Sequence, residues 1–517
     1  MACERLETLD LSGLRDAPTR IISAIPEEHC LIKGYVSPQV EFELRLPTGS
    51  WNGRYLQLGC GGLCGTVQPD DPMQHLPGGC APPDDGGTAI ASGGGGHTGA
   101  GSTDGLWAHS DPQLRVDFGY RSEHVIALAS KAIIKAYYGQ APRYSYFNGC
   151  SNGGRQALME AQRFPDDFDG IIAGAPSNML TALSGELLPW NARVNKGADG
   201  RQILDPDKLP FLHREVMAAC DPADGLKDGL IDDPRNCRFD PAALRCTRTQ
   251  QDCLTAEEVD VVRKLYGGPV DRKGRRLYPS GLPLGSEAAW RDYVIAPAGK
   301  TSILGTLGLN YLKYMSSWTN PPSSFTLDDH RFDITTFKKL RRMSGIYDSA
   351  DPDLTRYRDR GGKLILWHGW ADPGIPAQST IAYYHAVTER MGGLKATQEF
   401  ARLFLFPGVY HCASGHGPHK FDLFNPLYDW VEKGTSPHQI IAADTREGQK
   451  RTRPVYPYPM QAKYTGTGSI DDAANFKGVM PKNPPDDTYP WLGAPLRSGY
   501  QKWCHWNGRT LECEPKK

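Results

Sequence analysis

Alternation of apolar and polar residues predicts several β-strands near the start of the chain. Residues 31–36 and 41–46 alternate between the two classes and are bounded by turn residues. Residues 55–58 form a further strand-like stretch, which leads directly into a glycine-rich loop. The stretch 86–105 consists largely of Gly, Ser, Thr and Ala, and we expect it to be too poor in apolar residues to form a core element.

The pattern then changes to an alternation of helices and strands. Residues 124–138 have helical spacing, 144–147 read as a strand, 155–161 as a helix and 170–175 as another strand. This βαβ rhythm predicts an α/β protein with a doubly wound, mainly parallel sheet.

The rhythm breaks at about residue 177 and resumes with a strand at 361–367, a helix at 380–390 and a strand at 402–406. We therefore predict a catalytic domain formed by 1–176 and 350–517, interrupted by an inserted lid domain at 177–349. The alternative is a loop-rich excursion that lies away from the catalytic face.

One motif lies between a predicted strand and a predicted helix. Gly149-Cys150-Ser151-Asn152-Gly153 is the only Gly-x-Ser-x-Gly in the chain. A strand, a tight turn and a helix are the context of a nucleophile elbow, in which the serine is exposed above the sheet edge. The motif predicts an α/β-hydrolase core with Ser151 as its nucleophile.

A serine nucleophile needs a histidine base and a carboxylate, which follow it in that superfamily in the order Ser, Asp, His. Asp372 comes just after the strand ending at Trp367, and His411 comes just after the strand ending at Phe406. We predict these two residues as the partners of Ser151. The alternatives are a turn-forming role for Asp372, and His368, His416 or His419 as the base.

The cysteines beside the predicted nucleophile and base strengthen that assignment. Cys150 and Cys412 can form a disulfide if Ser151 and His411 are adjacent, and such a bond would hold the reacting geometry. For the oxyanion we predict the backbone N–H of Asn152 and that of Gly61 or Gly62, in the glycine-rich loop. A phosphate-binding loop is the alternative for those glycines, but the Gly-Lys-Ser/Thr ending is missing.

An acidic segment within the predicted lid suits a hard cation. Carboxylates and glycines alternate along 221–233, a pattern that favours calcium, and the segment lies between Cys220 and Cys237. The predicted ligands are the carboxylates of Asp221, Asp224 and Asp228 and the carbonyls of Leu226 and Leu230. A solvated acidic turn is the alternative.

Composition limits which partners and which cellular compartment we expect for the protein. The 517 residues carry a formal net charge of −1, and no run approaches the ~18 apolar residues of a membrane span, so we expect neither nucleic acid nor a membrane as partner. The thirteen cysteines suit an oxidising compartment, and the absence of a Cys-x-x-Cys pair argues against zinc. We expect a secreted or periplasmic protein, whose signal peptide is absent from this chain and presumed removed.

Taken together, Cys150-Ser151, Asp372 and His411-Cys412 resemble the Cys-Ser/Asp/His-Cys signature of the tannase and feruloyl esterase family. The resemblance extends from Trp51 almost to the end of the chain. It implies an α/β-hydrolase core, an inserted lid and a structural calcium ion in that lid, with no organic cofactor. It also implies several disulfides, namely Cys150–Cys412, Cys220–Cys237, Cys246–Cys253, Cys504–Cys513 and Cys3–Cys30. Cys60, Cys64 and Cys80 then compete for one bond.

The resemblance implies a serine esterase that cleaves esters of aromatic acids, as feruloyl esterases do. Tannase activity on galloyl esters and mono(2-hydroxyethyl) terephthalate hydrolysis are the alternatives within the family, and a non-catalytic calcium-stabilised binding protein is the alternative from another class. The expected partner is a small aromatic ester, free or attached to a polysaccharide or polyester fragment. Several aromatic residues of the predicted lid can either contact the aromatic acyl group in the substrate pocket or belong to the core of the lid, namely Trp190, Trp290, Tyr311, Tyr314 and Trp318.

Overall fold

The computed structural model describes residues 1–67, 86–247, 252–446, 448, 450–482 and 486–494, together with the backbone of 502–506 and 511–515. Its strands are β1 (Thr19–Pro26), β2 (His29–Val36), β3 (Val40–Pro47), β4 (Arg54–Leu58), β5 (Ala89–Gly93), β6 (Tyr144–Cys150), β7 (Gly170–Gly174), β8 (Lys363–Gly369), β9 (Ala401–Phe406), β10 (Ile440–Ala443), β11 (Thr452–Val455), β12 (Gln461–Tyr464), β13 (Phe476–Val479), β14 (Lys502–Trp506) and β15 (Leu511–Pro515).

Its α-helices are α1 (Pro112–Val116), α2 (Ser122–Tyr138), α3 (Asn152–Arg163), α4 (Leu180–Ala182), α5 (Leu188–Val194), α6 (Leu209–Cys220), α7 (Ala256–Gly267), α8 (Ile303–Tyr314), α9 (Ile334–Leu340), α10 (Ser344–Tyr347), α11 (Thr355–Asp359), α12 (Gln378–Arg390), α13 (Leu394–Gln398) and α14 (Phe424–Lys433). None of the helices in this part of the chain is long and apolar enough to cross a membrane.

Nine strands form one sheet in the order β1-β2-β3-β5-β4-β6-β7-β8-β9. The pairs from β5 to β9 are all parallel, and the pairs among β1, β2, β3 and β5 are antiparallel. The predicted α/β class with a mainly parallel sheet is therefore confirmed. The carboxyl ends of β4, β6, β8 and β9 point to one edge, so the loops that follow these strands can form one site there.

Side chains of the central strands alternate between two hydrophobic cores, one on each face of the sheet. In β8, Leu364 and Leu366 belong to the core that includes residues of α2, α3 and α12, whereas Ile365 and Trp367 belong to the core that includes residues of α14. Helices thus cover both faces, which explains why the parallel strands are buried along nearly their whole length.

The expectation that 86–105 contains no core element is wrong. Within it, β5 lies between β3 and β4, and its residues are almost all buried. The small side chains have a packing role: a Cβ on Gly93 would lie 2.4 Å from Cδ1 of Ile126 in α2. Low apolar content here reflects close approach of a helix, not exposure to solvent.

Between β7 and β8 the described residues contribute no strand to the sheet. They form a separate hydrophobic core around fully buried residues such as Leu212, Val262 and Trp290. The domain boundaries at 176/177 and 349/350 stay a prediction.

Candidate active site

Ser151 occupies the turn between β6 and α3. Its backbone has φ 65° and ψ −121°, a region that a non-glycine residue seldom adopts. Its glycine neighbours permit the turn, because a side chain at either of two of them would clash with the backbone. A Cβ on Gly149 would lie 2.4 Å from the Gly153 carbonyl carbon. A Cβ on Gly154 would lie 2.2 Å from the Gly174 carbonyl oxygen. The Gly-x-Ser-x-Gly motif therefore forms the strained elbow that exposes a hydroxyl.

The structure brings the three predicted triad residues into hydrogen-bond contact. Ser151 Oγ lies 2.9 Å from His411 Nε2, and His411 Nδ1 lies 2.8 Å from Asp372 Oδ2. The geometry fits a histidine that donates from Nδ1 to the carboxylate and accepts the serine proton at Nε2.

Asp372 is fully buried and held by several donors. The backbone N–H groups of Gly374 and Ile375 donate to its Oδ1 at 2.7 and 2.9 Å. Burial alone would raise the pKa of this carboxyl, but the charge of His411 and the hydrogen bonds from His368 and His411 hold the pKa well below its usual range. Asp372 is therefore ionised and can stabilise the imidazolium that forms during proton transfer.

The alternative histidines have other partners. His368 Nε2 lies 3.2 Å from Asp372 Oδ2 and 2.7 Å from the Ile375 carbonyl oxygen, so this ring orients the carboxylate from behind. His416 Nδ1 lies 3.2 Å from the Tyr410 hydroxyl, and burial together with nearby His213 lowers its pKa to about 3. His419 Nδ1 lies 3.0 Å from the Gly417 carbonyl oxygen.

A disulfide joins Cys150 to Cys412, whose Cα atoms are 5.8 Å apart and whose sequence separation is 262. It connects the residue before Ser151 to the residue after His411. The structure also contains the disulfides Cys3–Cys30, Cys220–Cys237, Cys246–Cys253 and Cys60–Cys64. Cys80 lies outside the described residues, and of Cys504 and Cys513 only the paired backbone of β14 and β15 is described.

The predicted oxyanion loop packs directly on the start of α3. A Cβ on Gly59 would lie 2.8 Å from the Gly153 Cα atom, so the loop approaches as closely as glycine allows. Asn152 is the first residue of α3, where backbone N–H groups have no acceptor within the helix. The glycine-rich loop therefore starts against the helix that begins after Ser151, and the role of Asn152, Gly61 and Gly62 in binding the oxyanion stays a prediction.

The predicted calcium ligands lie in a segment that we call the acidic loop, residues 221–233. Asp221 Oδ1 accepts the backbone N–H groups of Asp228 and Gly229, and the Asp228 carboxylate pairs with Arg453. Burial and then the charges of Asp228 and Asp221 raise the pKa of Asp224 to about 6.

The sequence pattern gave Asp232 no role in the acidic loop. Burial, and then nearby Asp224 and Asp228, raise its pKa to about 7. The donors are the hard oxygens that calcium prefers, and their mutual repulsion leaves negative charge for a cation to neutralise. Across the described residues, no three His, Cys, Asp or Glu side chains converge as a formed metal site. The fit to calcium therefore rests on charge and donor type.

Sequence reasoning missed Tyr293, a residue between β7 and β8 whose ring centroid lies 6.1 Å from that of His411. Its hydroxyl lies so close to the triad loop that a Cβ on Gly374 would be 2.7 Å from it. By contrast, Trp290 and Tyr311 are fully buried in two different hydrophobic cores, and Trp318 is 41% exposed. Tyr293 follows Asp292, whose φ is 62°. No motif in the sequence indicated that Tyr293 lies beside the triad.

Comparison with known proteins gives a consistent result. Residues 27–479 match the family model described as tannase and feruloyl esterase. The chain is 33% identical to an uncharacterised esterase of Xanthomonas campestris, covering 93% of this chain and 89% of the relative. It is 32% identical to the mono(2-hydroxyethyl) terephthalate hydrolase of Piscinibacter sakaiensis, covering 92% and 88%. The crystal structure of feruloyl esterase B from Aspergillus oryzae superposes with a TM-score of 0.76 at 28% identity, covering 87% and 90%.

Proposed function

Because this chain belongs to the tannase and feruloyl esterase family, we propose that Ser151, His411 and Asp372 are its catalytic triad. The chain is a carboxylic ester hydrolase that acts on esters of aromatic acids. The observation that carries the assignment is the continuous series of contacts from Ser151 Oγ through the His411 ring to the Asp372 carboxylate.

In the proposed reaction, Ser151 Oγ attacks the ester carbonyl carbon while His411 Nε2 takes the hydroxyl proton. The N–H groups of Asn152 and of Gly61 or Gly62 stabilise the resulting oxyanion. The C–O bond to the alcohol then breaks, His411 gives its proton to the leaving alcohol, and an acyl-enzyme remains. A water molecule, deprotonated by His411, then attacks the acyl carbon, the bond from that carbon to Ser151 Oγ breaks, and His411 returns its proton to Ser151 Oγ as the aromatic acid is released.

The substrate is bound, in this proposal, with its aromatic ring against Tyr293. This lid side chain is the aromatic group that lies beside the His411 ring. Ser151 and His411 are only partly buried, so the alcohol side of a bound ester can extend into solvent. That opening suits an ester attached to a polysaccharide or polyester fragment.

We further propose a structural calcium ion in the acidic loop, held by oxygens of Asp221, Asp224, Leu226, Asp228 and Leu230. Bound there, calcium would neutralise carboxylates that otherwise repel one another. We also propose that the protein works in an oxidising, extracytoplasmic compartment, since five disulfides among the described residues would be reduced in a typical cytosol.

The decisive experiment compares the wild type, Ser151→Ala and the exposed-serine control Ser324→Ala on methyl ferulate, methyl gallate and mono(2-hydroxyethyl) terephthalate. We expect Ser151→Ala to lose at least about 10³-fold in kcat on every substrate that the wild type cleaves, with an unchanged melting temperature. Ser324→Ala should match the wild type. Wild-type turnover by Ser151→Ala would overturn the triad assignment, and the ranking of the three esters would identify the acyl group.

A further inference from the structure

The Cys60–Cys64 disulfide closes a five-residue loop that contains both candidate oxyanion glycines. Most backbone N–H groups along 59–65 already donate to fixed acceptors, namely Gly59 to Asn148 O, Cys60 to Gln156 Oε1, Leu63 to Ser102 O, Cys64 to Gly61 O and Gly65 to Gly94 O. Within the described chain, the N–H groups of Gly61 and Gly62 have no acceptor. The loop thus leaves free the N–H groups of both candidate glycines, one of which the proposed reaction uses together with that of Asn152.

Two amide side chains of α3 attach this loop to the helix that begins after Ser151. Gln156 Oε1 accepts the Cys60 N–H at 2.9 Å, and Gln156 Nε2 lies 3.4 Å from Cys60 Sγ. Asn152 Nδ2 lies 3.3 Å from the Cys60 carbonyl oxygen and 3.2 Å from Cys64 Sγ. The disulfide sulfurs and the Cys60 backbone are therefore held by the same helix that positions the nucleophile.

Buried hydrogen-bond partners fix the orientation of both amides. Arg155 Nε donates to Asn152 Oδ1 at 2.7 Å, so the Asn152 amide nitrogen must face the loop. Gln156 Nε2 donates to Glu123 Oε1 at 2.8 Å, so the Gln156 oxygen must face the Cys60 N–H. Arg155 is itself held by the carbonyl oxygens of Phe118 and Gly119. Each amide therefore has a defined donor side and a defined acceptor side, which determines the loop atoms it can bond.

We propose that the Cys60–Cys64 disulfide and Gln156 are positioning groups that hold the N–H donors of Gly61 and Gly62 toward the oxyanion formed at Ser151. This inference rests on the proposed function. A donor that fits the tetrahedral oxyanion better than the planar ester stabilises the transition state selectively, so its misplacement lowers kcat and leaves KM nearly unchanged. Removal of a single oxyanion donor costs about 10²–10³-fold in kcat, and misplacement by a loosened loop should cost roughly 10–100-fold.

The test compares Cys60→Ser/Cys64→Ser with Cys246→Ser/Cys253→Ser, which removes another short-range disulfide, in the lid. On methyl ferulate we expect the first variant to lose roughly 10–100-fold in kcat with KM within about two-fold of the wild type. The lid variant should keep the wild-type kcat. Gln156→Leu, which retains every disulfide, provides a second variant should the first fail to fold, and it should show the same loss in kcat.

Inhibition separates positioning from general stability. Phenylboronic acid forms a tetrahedral adduct with a serine hydroxyl, so its inhibition constant should rise in Cys60→Ser/Cys64→Ser and in Gln156→Leu by about the factor lost in kcat/KM. The inhibition constant of ferulic acid, a planar product, should stay within about two-fold. Variants that lose melting temperature but keep wild-type kcat and boronate inhibition would overturn the inference. An active Ser151→Ala would instead overturn the proposed function.

Discussion

Asp372 and the acidic loop place carboxylates in opposite electrostatic surroundings. Asp372 is fully buried, yet His411, His368 and two backbone N–H groups keep its pKa well below the usual range. Asp224 and Asp232 face other carboxylates, and their pKa values rise to about 6 and about 7. A carboxylate with surplus donors is suited to stabilise a transient cation in catalysis. Carboxylates whose burial and mutual repulsion outweigh their hydrogen bonds are suited to bind a permanent one.

The difference predicts that changes at the two places affect different properties. Loss of donors or acceptors around the triad should slow the reaction and leave the fold intact, since the sheet and its cores hold the loops in place. Loss of a cation at the acidic loop should destabilise the lid and leave the chemistry intact.

Asp372→Asn tests the catalytic side of the comparison most strongly. The neutral amide can no longer stabilise the His411 imidazolium and favours the wrong tautomer, so kcat on methyl ferulate should fall about 10⁴-fold. The exposed substitution Asp359→Asn should leave kcat unchanged. A fall of less than ten-fold in Asp372→Asn, with correct folding by circular dichroism, would contradict the role assigned to this carboxylate.

Removal of the Cys150–Cys412 disulfide should have the next largest effect. Without it the Ser151 and His411 loops can separate, and misplacement by about 1 Å costs roughly 100-fold in rate. Cys150→Ser/Cys412→Ser should therefore lose about that factor in kcat, whereas Cys220→Ser/Cys237→Ser in the lid should lose thermal stability instead. Equal kinetic effects of the two double variants would remove the distinction between the regions.

Tyr293 lies where the lid meets the triad, and its substitution should change substrate binding. Loss of the ring in Tyr293→Ala removes an aromatic contact and should raise KM for methyl ferulate roughly 3–10-fold. Tyr293→Phe keeps the ring and should stay close to the wild type. If both variants bind substrate as the wild type does, this side chain lies outside the acyl pocket.

Removal of calcium by a chelator should have the smallest effect of these changes, and it tests the acidic loop rather than the triad. Addition of EDTA should lower the melting temperature by about 2–5 °C, and calcium should restore it, because a cation bound to the folded lid stabilises it by mass action. Asp224→Asn/Asp232→Asn should no longer respond to either addition. The initial rate below the transition should not change. A wild-type melting temperature insensitive to EDTA and to calcium would contradict the proposed metal site.

The sequence by itself determined the parts of the protein that local patterns encode. The strand before Ser151, the glycines around it and the order Ser151, Asp372, His411 each follow from residue type and spacing, because backbone crowding at an elbow and the ends of parallel strands are local constraints. The alternating rhythm also predicted most strands of the sheet, although it missed β1, and β5 was excluded by composition.

Tertiary structure decided everything that depends on which segments meet. The burial of β5 required knowledge that Ile126 packs on Gly93, and no local pattern encodes that contact. Other features likewise depend on contacts that local patterns do not encode. They are the pairing of Cys60 with Cys64, the support of Asp372 by His368, the approach of Tyr293 to His411 and the repulsion at Asp232. Residues that are distant in sequence but close in space determine the electrostatic field at a residue and the space available to its side chain. The spacing of residues along the sequence determines only which backbone conformations that residue can adopt.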